Sequence, residues 1–293
     1  IEEQARALAR EFGNSPTEQA RAFYQAISAG ASDAGEATDI LTAANKLALG
    51  GVTDITTATD GLTSTLNAYG LSTNRSTEVS DLFFTAVKDG KTTVDELARS
   101  IGTVAPIAAS TNVSLSDLLA GVAAITKGGV ATSEAMTQVR SILSAVIKPT
   151  AEAQKLAKEL GLEFDVAALK SKGFSQFIRD LIEATGGSEA SLSRLLGRTE
   201  ALQGALTLGG KQAGSFNAIL KDMENAAGAT EQAVAKLADS DAFRSRRFQA
   251  AIADLQISLG QAVTAATPAL ELLGNLINRF NELPDSVRGT IAI

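Results

Sequence analysis

Cysteine, histidine and tryptophan are absent from this chain of 293 residues, which also holds only 5 prolines. Without Cys no disulfide or thiolate site can form, and without His the commonest general base and metal ligand is missing. The lack of Cys fits any compartment and so locates nothing. Aromatic residues make up 4% of the chain against 45% hydrophobic residues. A core must therefore come from Ala, Leu, Val and Ile, which let helices approach closely but bury less area per residue than aromatics. No run of about 20 apolar residues occurs, so a membrane contact is expected only through regions outside this sequence. The balance of 26 basic and 33 acidic residues gives a net charge of −7, which repels phosphate backbones unless cations cluster. The one cluster, Arg244, Arg246 and Arg247, follows Asp239 and Asp241 and reads as a solvated helix face, so no direct nucleic-acid site is evident. The sequence opens at Ile1 without an initiator Met or secretory signal and closes in the apolar phrase Thr290-Ile291-Ala292-Ile293. It reads as an excerpt of a longer polypeptide.

What is present is a recurring joint: a small residue, an apolar residue, then a hydroxyl. It occurs as Gly51-Val52-Thr53, Gly70-Leu71-Ser72, Asn112-Val113-Ser114 and, with one insertion, Gly129-Val130-Ala131-Thr132. Gly or Asn just past a helix accepts the left-handed conformation that ends it, and the apolar residue packs back on the last turn. Ser or Thr then caps the next helix. Gly51, Gly70, Asn112 and Gly129 are thus expected to be the structural joints of an all-α fold, a compact core of short helices.

Helical signals run throughout. Ser15-Pro16-Thr17-Glu18 combines a capping Ser, Pro at the first helical position and a Glu that reaches back. The helix it opens carries Ala20, Phe23, Tyr24 and Ile27 as one expected buried stripe. Helices are expected near 33–49, 54–69, 74–89, 93–110, 114–128, 132–147 and 150–160, with Pro106 kinking or splitting the fourth at Ala105. From Gly161 the pattern loosens: Phe164-Asp165-Val166 reads as a turn or a short strand, before helices near 174–185, 189–196 and 199–209. From Thr230 one long helical pattern runs on. Phe248, Ile252, Leu255, Leu259, Ala262, Ala266, Ala269, Leu273, Leu276 and Phe280 keep four–three spacing, a heptad-like seam suited to another long helix. Thr267-Pro268 should kink or break it, and Leu283-Pro284-Asp285 should end it. Two units are expected: a helical core over 1–228, and over 229–293 a long amphipathic helix or helical hairpin.

Three stretches mimic chemistry. Residues 204–212 resemble a phosphate loop, but if Lys211 is the lysine the opening position is Ala205 and the closing hydroxyl is Gln212; no strand is expected before it either. Asp95-Glu96 and Asp239 with Asp241 are acidic pairs, yet first-turn acids facing a helix dipole explain the former. Lys170-Ser171-Lys172 would need a desolvated lysine to act as a nucleophile pair, and a Gly-flanked polar loop does not supply one. We therefore assign no catalytic, cofactor-binding or metal-ligating residue.

The joints also occur in a family's order. Residues from about Asp33 to Gly161 resemble the core region of phage tail tape measure proteins of the TP901 type. The phrases that carry the likeness begin with Ala43-Ala44-Asn45-Lys46-Leu47-Ala48, Gly51-Val52-Thr53-Asp54 and Leu66-Asn67-Ala68-Tyr69-Gly70-Leu71. They continue with Val79-Ser80-Asp81-Leu82, Thr92-Thr93-Val94-Asp95-Glu96-Leu97-Ala98 and Gly102-Thr103-Val104-Ala105-Pro106-Ile107-Ala108. Asn112-Val113-Ser114, Thr132-Ser133-Glu134-Ala135 and Lys148-Pro149-Thr150 complete the order. The tail from Phe248 to Asp285 is similar to the segment that lies downstream of that core in the family. The resemblance implies a non-enzymatic structural protein of a phage or prophage tail that sets tail length and takes part in DNA ejection. It implies residence in the tail lumen of the virion and, during assembly, in the host cytoplasm; the heptad-like seam for its part predicts a homo-oligomer or long antiparallel packing. The implied partners are the tail tube, tail-tip or baseplate, and tail assembly chaperone proteins. The alternatives are a helical interaction module of another secreted or surface protein and, disfavoured by the missing His and Cys, a cell-wall hydrolase.

Overall fold

A computed structural model describes residues 1–281, with side chains to residue 261. Among the described residues there are seventeen α-helices and no strand. In order they are α1 (Glu2–Phe12), α2 (Pro16–Ser28), α3 (Ala34–Gly51), α4 (Ile55–Tyr69), α5 (Ser76–Asp89), α6 (Val94–Ile101), α7 (Ala105–Ser110), α8 (Leu115–Lys127) and α9 (Thr132–Ile147). They continue as α10 (Ala151–Glu159), α11 (Val166–Lys172), α12 (Phe174–Thr185), α13 (Glu189–Leu196), α14 (Thr199–Leu206), α15 (Ala213–Glu224), α16 (Ala229–Ala238) and α17 (Asp241–Asn281).

Local chemistry places most of these boundaries. Ser15 with Glu18, and Thr93 with Glu96, form capping boxes in which side chain and backbone serve each other. Asp33, Asp54, Ser114, Thr150 and Asp165 also accept from the first turns of their helices. Pro106 sits in the first turn of α7, where its missing N–H is harmless, so the chain splits between α6 and α7.

Helix α8 occupies the centre. Leu118 through Ile125 are all buried, apolar on every side, and α5, α7, α9, α12 and α15 surround them. Small residues set the spacing elsewhere: a methyl on Gly61 of α4 would lie 2.9 Å from the Ala98 Cβ of α6. Several phenylalanines lie deep, with Phe174 and Phe216 edge-on at 6.1 Å.

Five expectations are corrected. The buried face of α2 is Gln19, Ala22, Phe23 and Ala26, whereas Ala20, Tyr24 and Ile27 are not buried. Gln19 is drawn inward because its amide exchanges hydrogen bonds with buried Asn45, at 2.7 and 3.2 Å. Asp165 caps α11, so 164–166 opens a helix and is not a strand. The helix expected to 209 ends at Leu206 and passes into a π-turn over Thr207–Lys211, where Gly210 leaves helical geometry. The pattern from Thr230 is cut at Asp239–Ser240, where the Ser240 hydroxyl accepts from Phe243 N. Finally, α17 continues unbroken through Thr267–Pro268; Leu283-Pro284-Asp285 lies outside the described residues.

Candidate functional site

The residues that mimic chemistry are occupied structurally. Asp95 accepts from Thr53 Oγ1, while Glu96 accepts from Thr93 N at 3.2 Å and from Thr132 Oγ1 at 3.0 Å. Asp239 and Asp241 each stand 3.8 Å from Arg244 on an exposed turn. Lys170-Ser171-Lys172 lies in α11 and not in a loop. The Asp180 hydrogen bond, aided by Glu163, raises the pKa of Lys172, which keeps it a cation rather than a base for Ser171. The Ser171 hydroxyl donates instead to Ala168 O at 3.1 Å. Residues 204–212 are the end of α14 and the π-turn, with α13 and not a strand before them. Among the described residues no group of Asp or Glu side chains is placed to hold a metal ion.

The joints use their residues in different ways. Gly70 has φ 61° and Leu71 N donates back to Leu66 O at 2.9 Å, but Ser72 bonds Asn74 Oδ1 and caps nothing through its side chain. Asn112 has φ 60°, Val113 is buried behind it, and Ser114 Oγ accepts from Asp117 N at 2.9 Å. Gly129 has φ 96°; Thr132 begins α9 without capping it and instead joins Glu96 and Thr92 at the start of α6. At the first joint the roles shift by one residue. Gly51 closes α3, Val52 takes the left-handed conformation with φ 55°, and Asp54 rather than Thr53 caps α4. Gly51 is needed for contact: a methyl there would lie 2.3 Å from Val94 Cγ2.

The last helix has two faces. Phe243, Ala250 and Asp254 turn inward, and Asp254 accepts from both Arg6 and Arg10 of α1. The hydrogen bond from Arg6, with help from Arg10, holds the Asp254 carboxyl below its usual pKa. On the other side, roughly 150° around the helix, Phe248, Ile252, Leu255 and Leu259 are 68, 43, 58 and 58% exposed. Spacing alone could find that row but not its direction. Inward burial was won by a carboxylate, because its arginine partners come from α1. The side chains of Leu273, Leu276 and Phe280 lie outside the described residues.

At the start of α16, Asp81 of α5 is buried and accepts from Gly228 N at 2.7 Å, Thr230 N at 2.9 Å and Thr230 Oγ1 at 2.5 Å. A residue from the core thus caps α16 across 149 positions. No local pattern around Thr230 could reveal this.

The amino-acid sequence that builds this all-α scaffold has counterparts. The family model for phage-related minor tail proteins matches residues 2–201. The chain belongs to that family. Two curated relatives extend the likeness. The tape measure protein of Pneumococcus phage Dp-1 is 27% identical over 236 residues, covering 76% of this chain and 20% of the relative. The probable tape measure protein of Clostridium phage phiCD119 is 26% identical over 248 residues, covering 80% of this chain and 26% of the relative. The chain therefore spans a fifth to a quarter of the length of these relatives. No solved structure matches it.

Proposed function

We propose that this chain is a tape measure segment: a non-catalytic structural part of a phage tail that takes part in tail assembly and in setting tail length. Its core, over 1–228, acts as a docking head, and 229–293 begins an extended arm. At 1.5 Å per residue, the 41 residues of α17 extend about 60 Å, so helical chain length can act as a ruler. The observation that carries the reading is the outward row Phe248, Ile252, Leu255 and Leu259 on a helix of that length, which is far more than the core needs for its own packing.

In this reading the row, whose four–three spacing recurs in the sequence at Leu273, Leu276 and Phe280, joins copies of the chain into a helical bundle inside the tail. The tail tube, tail tip or baseplate, and assembly chaperones are the remaining partners, met in the host cytoplasm before the virion is complete. Replacing Leu255 and Leu259 by Asp should reduce the mass seen by light scattering to that of one chain, and an unchanged mass counts against the bundle. In a phage carrying the parent gene, in-frame deletion of helical heptads downstream should shorten tails in electron micrographs in proportion. Tails of unaltered length would remove the ruler. A zymogram with cell-wall substrate should stay blank.

A further inference from the structure

We propose that the groove between the core and the α16–α17 turn is a docking site for an acidic amphipathic helix of another protein. The groove encloses about 1300 Å³ between the start of α2, the α3–α4 joint, α5 and the two last helices. Leu49, Phe84, Leu237 and Phe243 give it apolar walls. Arg21, Lys88, Lys236 and Arg246 line it as well, in a protein whose net charge is negative.

Charge sets the partner. Arg21, Lys236 and Arg246 form no ion pair among the described residues, and Lys88 reaches only Asp89, at 3.7 Å. Two acids also line the groove, each hydrogen-bonded at its own helix start, so the lining stays positive by two charges, four cations less two carboxylates. Glu18 accepts from Ser15 N at 3.0 Å, and Asp54 from Thr57 N at 2.9 Å and Thr57 Oγ1 at 2.6 Å. A lining of net positive charge around an apolar floor matches carboxylates flanking an apolar stripe. A nucleic acid would use the cations but leave the floor bare.

Val52 is an independent sign. It lines the groove, is 89% exposed, and holds a left-handed conformation that a β-branched residue adopts only under strain. Both features disfavour the free protein, and the next residue but one upstream, Gly50, shows that glycine is available to this joint. An apolar side chain held out at the mouth of the groove gains only when something covers it. This inference is separate from the outer row of α17, which lies on another face and need not associate for the groove to work.

The test uses a fluorescein-labelled helical peptide with Leu at i, i+3, i+4 and i+7 and Glu on both flanks, titrated into the full chain by anisotropy. Saturable binding is expected, weakened about tenfold or more by Lys236→Glu with Arg246→Glu and by exchanging every Glu of the peptide for Gln. Val52→Asn should raise Tm, since Asn tolerates the left-handed region, and yet weaken the peptide. Both variants alter exposed positions, and far-UV circular dichroism checks that their helicity is intact. Absence of binding, indifference to the charge reversals, or equal affinity for a single-stranded oligonucleotide of like charge would each overturn the proposal.

Discussion

Replacing Gly51 by Ala isolates one contact on which the first joint depends. The new methyl would stand 2.3 Å from Cγ2 of Val94, a fully buried residue at the start of α6. Carbon atoms pack best at about 3.5–4.0 Å, and a β-branched side chain has few alternative rotamers into which to withdraw. Two terms compete. Exchanging Gly for Ala inside a helix gains up to about 1 kcal/mol, less at a terminal position such as this. Overpacking a tight core costs about 1–3 kcal/mol. The overlap exceeds about 1 Å, so the second term should win and leave a net loss of about 1–2 kcal/mol. Val94→Ala alone removes two buried methyl groups and should cost about 2 kcal/mol. In the double variant the added methyl enters the space just vacated, so the losses should fall short of their sum by about 1–2 kcal/mol. Urea unfolding followed by circular dichroism measures each value, with the slope unchanged if only stability has moved. Additivity within about 0.5 kcal/mol, or a single variant as stable as the parent, refutes the packing account of this glycine.

Gly70→Val forces a β-branched residue to φ 61° and should lower stability by about 1 kcal/mol or more, read from the same unfolding curves. Asp81→Ala leaves three donors at the start of α16 unpaired, a loss of about 1–3 kcal/mol, and hydrogen exchange should show protection disappear from 228–238 before the core opens. Asp254 has a folded pKa below its unfolded value, so its contribution is full above the unfolded pKa and is lost as pH falls through the folded one. Hydrogen exchange should therefore show α1 and α17 loosening together on acidification below about pH 4, the usual range of the free carboxyl. Asp254→Asn should show that loosening already at neutral pH.

What the sequence discloses here is what lies within a few residues of itself. The capping boxes at Ser15 and Thr93, the caps at Ser114 and Thr150, and the split at Pro106 are signals between a side chain and a backbone one turn away. A side-chain cap is neither necessary nor sufficient for legibility: α1 and α15, after the non-capping Ile1 and Gln212, go unseen, and so does α11 behind Asp165, whereas α9 and α14 are legible without a cap. Direction of burial is a longer-range matter. Gln19 is inside because Asn45 is there to meet it, and Tyr24 is outside although it shares a helix with Phe23. The joints mislead by one position at Gly51 because contact with Val94, not backbone conformation, selects the glycine. The outer row of α17 is legible as a period, while its inward face waits on arginines at the opposite end of the chain.

That last dependence orders events at the ribosome. Arg10 and Asp254 are separated by 244 positions. At about 5–20 residues per second, synthesis leaves the first helix without its anionic mate for roughly 12–50 s. The helices in between can settle against one another as they emerge. The clasp between α1 and α17 then closes only after the helices that lie between them.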